Sequence, residues 1–349
     1  MREGEFRLHF ATLQNYRVVN DSGMRFGKAG GTIFVAATAL AAAVPCPASA
    51  SQLLDRDAHG VKLAVNGNGQ ALVTYRAHGR VRHVLVFGAV NAREPSQSVP
   101  QVRFRVDYSG GWGIYRKPIW QTFRNVCRAY DGPSLPFFVT ACKAPDGSYW
   151  ALQSWQRLYP NLGFLPWLPH QRAFELHISH WTGPLVHIDL WTDWIYSGRY
   201  HHVFGRVTYR GNPVYGFKTT RYGARLDAYG RLVYLDTYHS RYGPGWRREN
   251  SFVTHTGTGI YCYGFYQYDP STAGYEKPPS WPAHKLRGPG NGNQYRATVE
   301  GPGVTPDVSV TVAGLSDFDP ANPEHVAYEQ RQNDLLDTIV GPDKLCRHH

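Results

Sequence analysis

The chain has 349 residues, 37 of them basic and 26 acidic, for a formal net charge of +11. With 23 Tyr, 10 Trp, 36 Gly and 24 Pro, it suits short strands joined by tight turns, and it is long enough for one large core or two smaller ones. No low-complexity run or long linker divides it, and the charge bears on association rather than on fold.

From Met24 the sequence reads MRFGKAGGTIFVAATALAAAVPCPASASQ. Arg25 and Lys28 form a positive leader, 32–44 is a run of apolar, small or hydroxyl residues, and Ala48-Ser49-Ala50 has the small-x-small pattern of a signal-peptidase site. The run is about 13 residues, whereas a spanning helix needs roughly 20. Residues 24–50 are therefore expected to be a signal peptide removed ahead of Ser51, leaving a secreted, monomeric product with no transmembrane segment. Glu3, Glu5 and Asp21 do not suit a positive leader, so 1–23 is read as a non-native extension with translation starting at Met24. Pro45 directly before Cys46 makes a poor lipidation box.

Cys127, Cys142, Cys262 and Cys346 remain after that cleavage, and an even count in an exported protein points to two disulfides. The short, turn-rich stretch between Cys127 and Cys142 favours that pair and leaves Cys262 with Cys346. No C-x-x-C spacing favours a structural zinc site, and no cofactor or metal is expected.

Residues 61–90 hold three alternating runs separated by NGNG and HG, a meander signal that VRFRVDY continues. In KPIWQTFRNVCRAYDG the apolar positions Ile119, Trp120, Phe123, Val126, Cys127 and Tyr130 fall at helical spacing, which predicts a buried helix near 118–130. A hairpin turning at Pro145-Asp146-Gly147 follows. Strands are then expected at 174–181, 185–196, 200–209, 213–219, 231–238, 250–255, 260–268, 294–300 and 304–312. Asn322-Pro323 and Gly341-Pro342 bracket a C-terminal helix. The predicted fold is mainly β, with antiparallel sheets, one buried helix and a C-terminal helix; sandwich, barrel and open sheet stay equally open. A β-rich extracellular domain is expected over 51–315 and an acidic tail over 316–349. The tail holds seven acidic and three basic residues, and 51–315 carries 29 basic against 16 acidic. Either the tail packs back on the body, or the body meets an anionic partner.

Chemistry concentrates in 177–194, HISHWTGPLVHIDLWTDW. If 174–181 and 185–196 form a hairpin through Thr182-Gly183-Pro184, His177 lies opposite Asp189 and Glu175 opposite Trp191. Glu175 and Asp189 are then diagonal neighbours, about 7–8 Å apart. Three readings of that face are open. It is a solvated sheet face with a His–Asp pair; or a glycan-binding or hydrolytic face with Trp191 as platform and Glu175, His177 and Asp189 as the catalytic set, flanked by His187 and Asp193; or a metal site of His177, His187 and Asp189. A second candidate is the Gly-Pro loop HSRYGPGWRRENSF, where Arg241, Tyr242, Trp246, Arg247 and Arg248 combine stacking rings with guanidinium clamps. No G-x-S-x-G, H-E-x-x-H or C-x-x-C motif occurs.

The stretches CRAYDGPSLPFFVTACKAPDGSYWALQSWQRLYPNLG, ELHISHWTGPLVHIDLWTDWIYSG and HHVFGRVTYRGNPVYGF resemble uncharacterised secreted β-rich proteins of high-GC Gram-positive bacteria. The excess of Arg over Lys, 29 to 8, fits that coding bias. The resemblance covers most of 60–312, implies export and a shared β domain, and transfers no catalytic residue. Together these features predict a secreted protein that binds an extracellular polysaccharide or anionic wall polymer, not genomic nucleic acid. A glycan hydrolase and a structural envelope protein are the alternatives.

Overall fold

Turn chemistry sets the first sheet. A computed structural model describes residues 51–94, 100–156, 174–195, 200–214, 218–219, 225–226, 233–240, 243–248, 253–254, 260–265, 268–269, 274–275 and 292–340. The chain opens with β1 (Gln52–Arg56), β2 (His59–Val65), β3 (Gln70–Ala77), β4 (Arg80–Phe87) and β5 (Arg105–Asp107). Between β2 and β3, Asn66 Oδ1 accepts from the N–H groups of Asn68 and Gln70, both at 3.0 Å, and Gly69 takes φ +68°. Between β3 and β4, His78 and Gly79 take φ +50° and +72°, a primed two-residue turn that matches strand twist.

A one-turn helix α1 (Trp112–Tyr115) and a 3-10 turn (Ile119–Gln121) follow, then β6 (Arg128–Ala129), β7 (Phe138–Lys143), β8 (Tyr149–Trp155), β9 (Glu175–Trp181), β10 (His187–Ile195) and β11 (Tyr200–Tyr209). Short strands β12 (Asn212–Pro213), β13 (Lys218–Thr219) and β14 (Arg225–Leu226) lead to β15 (Val233–Ser240) and β16 (Gly243–Arg248). The remainder is β17 (Val253–Thr254), β18 (Ile260–Phe265), β19 (Tyr268–Asp269), β20 (Gly274–Tyr275), β21 (Gln294–Val299), β22 (Val308–Ala313) and helix α2 (Pro323–Val340).

Every described ladder is antiparallel, as expected. The orders are β2-β3-β4-β5, β1-β9-β8-β7-β6, β10-β11-β18-β17 with β12 on β11, and β16-β15-β21-β22, plus the ribbons β13-β14 and β19-β20; all have open edges. The first two sheets share one core, in which Val73, Tyr75, Val84 and Val86 meet Trp150, Leu152, Leu176 and Ile178. The next two share a second core, in which Ile188, Leu190, Val203 and Val207 meet Leu235, Ala297 and Val299. Covering each large apolar side chain is worth about 1.5–3 kcal/mol.

The acidic tail packs back on the body. Leu335, Leu336 and Ile339 of α2 cover Trp191 and Phe204 on the outer face of the β10–β11 ladder, and Tyr328 donates its hydroxyl to Thr192 O at 2.8 Å.

The buried helix expected near 118–130 is replaced by the 3-10 turn and an extended segment. Asn125 Oδ1 accepts from the N–H of Val65 (3.0 Å) and of Cys127 (3.1 Å), while Val126 N–H donates to Val65 O at 2.8 Å. These bonds lay the segment along the end of β2. The disulfide Cys127–Cys142, Cα–Cα 5.7 Å, then ties it to β7. Helical spacing of apolar residues lost because Trp120 and Val126 are surface residues, 39 % and 42 % exposed. The hairpin at Pro145-Asp146-Gly147 and the 127–142 bridge match expectation. Cys346 lies outside the described residues, and so does the second bridge.

Candidate functional site

The structure separates the two strands on which the acidic pair depended. A strand has two edges, and both edges of β9 are taken, one by β1 and one by β8. β10 lies in another sheet, paired with β11. The turn is redirected by Asn91, whose side chain accepts from Thr182 N–H (2.8 Å) and donates to Thr182 Oγ1 (2.9 Å). His177 is therefore not opposite Asp189, Glu175 and Asp189 form no carboxylate pair, and His177, His187 and Asp189 do not converge on a metal. Among the described residues no group of three or more metal-ligating side chains gathers.

Each residue has a different neighbour instead. All seven residues of β9 are buried. Ser51 Oγ donates to Asp307 Oδ1 at 2.6 Å, so its contact with His177 Nδ1 at 2.8 Å is one in which the imidazole N–H donates. His177 Nε2 stands 3.4 Å from Glu175 Oε2, and Arg56 Nη2 bonds Glu175 Oε1 at 2.7 Å. Asp307 also accepts from Trp155 Nε1 (2.8 Å) and Gly301 N–H (2.9 Å). Ser51, His177 and Asp307 are 0 % exposed and Glu175 1 %. The residue types resemble a Ser-His-acid set, but the serine gives its proton to a carboxylate and the cluster is closed to substrate. It fastens the first core to the loop before β22.

On β10, His187 and Arg206 clasp Asp189 at 2.9 and 2.6 Å, an exposed ion-pair group of modest strength. Trp191 is stacked on Phe204 (centroids 5.5 Å) beneath α2, so it offers no platform. Asp193 is fully buried against His202, Oδ1 to Nδ1 2.6 Å. The Gly-Pro loop proves to be strand β16: Trp246 pairs with Tyr238, with the Arg296 guanidinium 4.4 Å from its ring centroid. Arg247 and Arg248 pair in register with Thr237 and Asp236. Arg241 and Tyr242 lie outside the described residues.

What the surface presents is elsewhere. Four large aromatics between β5 and β6 face solvent: Tyr108 at 52 %, Trp112 at 56 %, Tyr115 at 40 % and Trp120 at 39 %. Asp107, itself buried, orders this loop by accepting from Ser109 N–H (2.8 Å) and Ile114 N–H (3.2 Å). Burial pushes the Asp107 pKa up, but the bonds from Ser109, Ile114 and Gly111 outweigh it and hold the carboxyl below its ordinary value. Gly110 and Gly111 take φ +67° and +109°, and a Cβ on Gly110 would meet Trp120 Cδ1 at 2.8 Å. The close approach lets Trp120 lie flat on His83, centroids 4.2 Å and planes 2° apart. Burial lowers the His83 pKa, so the stack is with a neutral imidazole at neutral pH. Tyr115 is tethered by Gln70 Nε2 at 2.6 Å. The Trp112 indole has no ring contact or hydrogen bond among the described residues.

Comparison adds no precedent. No family model, curated protein or solved structure matches this chain.

Along the same segment, 103–128, Arg103, Arg105, Arg116, Lys117, Arg124 and Arg128 are exposed. Arg116, Lys117, Arg124 and Arg128 make no ion pair among the described residues. Asp107 is the one acid in 103–128 and its charge is turned inward. A ring-and-cation edge of this kind stacks on flat or ring-shaped groups and attracts anions. The signal was present in GGWGIYRKPIW, where rings stand beside cations, but helical spacing assigned Trp120 to a core and Tyr108, Trp112 and Tyr115 were given no role. A separate open groove of about 630 Å³ lies between Trp194, Ser316 and the α2 residues Glu324, Tyr328 and Arg331.

Proposed function

We propose that this is an exported protein that binds an anionic extracellular polymer, an acidic glycan of the envelope, without turning it over. The observation that carries the reading is the exposure of Tyr108, Trp112, Tyr115 and Trp120 in one segment with four cations that make no ion pair among the described residues. Rings give contact area and stacking on sugar faces, and the cations supply long-range attraction to carboxylate or phosphate groups. The Cys127–Cys142 bridge supports an oxidising compartment. Among the described residues no helix is long and apolar enough to cross a membrane.

The test is co-sedimentation with isolated cell walls and insoluble acidic polysaccharides at about 50 and 500 mM salt, where the Debye length differs severalfold. Saturable binding that falls at high salt is expected. Trp112→Ala should weaken it by roughly tenfold or more, and Arg116→Ala with Lys117→Ala should flatten its salt dependence. Trp191→Ala serves as the internal comparison, because that ring is covered by α2. Unchanged binding in the Trp112 and Arg116/Lys117 variants would sink the reading, and sugar released into the supernatant would replace it with hydrolysis.

A further inference from the structure

Ser51 is the residue that signal-peptidase cleavage after Ala50 would make the first of the mature chain, and it is 0 % exposed. A chain terminus is ordinarily a solvated, loosely held charge. Here the terminal residue is instead locked by its own side chain, with Oγ 2.6 Å from Asp307 Oδ1 and 2.8 Å from His177 Nδ1. Within one serine the α-nitrogen and Oγ are no more than about 3.8 Å apart. The α-nitrogen of Ser51 therefore lies no more than about 6.4 Å from Asp307 Oδ1, at the edge of the reach over which opposite charges act on one another inside a protein.

The charges around that position leave room for a cation. Asp307 is 0 % exposed, and among the described residues the groups that face it are Ser51 Oγ, Gly301 N–H, Trp155 Nε1 and, at 3.6 Å, His177 Nδ1. Of these only the imidazole can carry positive charge. Arg56, the permanent cation of the cluster, bonds Glu175 at 2.7 Å. Glu300, 1 % exposed, precedes the Gly301 that bonds Asp307. In the uncut chain the Ser51 nitrogen is an uncharged amide; hydrolysis of the Ala50–Ser51 peptide bond consumes one water, leaves a carboxylate on Ala50 and an amine on Ser51, and the amine takes up a proton.

We propose that cleavage at Ala50–Ser51 installs the Ser51 α-ammonium as a buried counter-ion of Asp307, so that removal of the leader completes the polar cluster joining β1, β9 and the loop before β22. The inference rests on the cleavage expected from the sequence and is independent of the polymer-binding reading. It makes processing a folding step. The precursor holds the same strands with one charge of the cluster missing, and the mature chain gains the pair.

The experiment starts from the full chain, processed in vitro by signal peptidase. Mass spectrometry should place the new terminus at Ser51; any other terminus overturns the proposal. The α-amine of the folded product should react with acetic anhydride at least about tenfold more slowly than after unfolding in urea, because pairing with Asp307 would keep it protonated and shielded in the folded state. Equal rates overturn it. Product acetylated at that amine while unfolded, then refolded, should have an unfolding constant on the order of 100-fold larger, about 2.7 kcal/mol at 1.36 kcal/mol per tenfold. Asp307→Asn should shrink that difference to within about threefold. If Asp307→Asn does not fold, the acylation rates of the unaltered protein decide the matter alone.

Discussion

His180 sets a defined pH response. It is 3 % exposed on β9, stacked on Trp150 with centroids 3.9 Å apart. Ser148 Oγ donates to Asp146 Oδ1 at 2.6 Å, so at its 2.7 Å contact with His180 the Nε2–H is the donor and the imidazole is held neutral. Burial lowers its pKa from 6.5 to about 4, against the opposing pull of Asp146. A base whose folded pKa is depressed binds its proton first in the unfolded chain. Its contribution to stability is whole above pH 6.5, declines as pH falls, and is gone below about pH 4. At about 1.36 kcal/mol per pH unit the loss from this one side chain is roughly 3 kcal/mol. His201 is likewise lowered by burial and adds in the same direction. Urea unfolding at pH 7, 6, 5 and 4 measures the slope. His180→Gln should be less stable at pH 7 but lose roughly 3 kcal/mol less on going to pH 4. If the variant and the parent lose the same amount, or if proton NMR shows His180 titrating near 6.5 in the folded protein, the reasoning is wrong.

Gly110→Ala should displace Trp120 from His83, since the new Cβ meets Trp120 Cδ1 at 2.8 Å and φ is +67°. The expected readout is red-shifted tryptophan emission and weakened polymer binding, with the thermal midpoint lowered by only a few degrees. Leu336→Ala should cost about 2–5 kcal/mol, because Leu336 is fully buried on Phe204, and proteolysis should then release the tail first. Replacing both Cys127 and Cys142 with Ser should cost on the order of 3 kcal/mol through the 15-residue separation, read from the urea midpoint. Asp193→Ala leaves His202 alone in a buried site and should cost about 3–5 kcal/mol by the same measurement.

The parts of the fold legible in the sequence were those fixed by local chemistry. His78-Gly79 and Asn66–Gly69 named their own turns through side-chain acceptors and positive φ, and the strands on either side took the expected period. Val186, just before β10, and the even positions Ile188 and Leu190 within it went to the core as their alternation required. The C-terminal helix began at Pro323, after an Asn322 whose side chain accepts from Glu324 N–H at 2.9 Å. Each of these depends on residues within a few positions of one another.

The functional expectation around 177–194 failed for a reason that alternation cannot reveal. A polar face on a strand reads the same whether water or another layer of protein lies against it. In β10 the odd face is split, with His187 in solvent and Trp191 under a helix that begins 132 residues later. In β9 the odd face is closed by Ser51 and Asp307, 126 and 130 residues away from His177 in opposite directions along the chain. Pairing is likewise a contest for edges: β9 and β10 are separated by a short turn, yet β1 and β8 reach the two edges of β9 and exclude β10. The exposed rings show the converse error. Trp112, in a Gly-rich segment next to cations, drew no expectation at all, while its neighbour Trp120 was absorbed into a helical pattern and became recognisable as a surface feature only once the Asn125 bonds and the Cys127–Cys142 bridge had laid that segment out as extended chain.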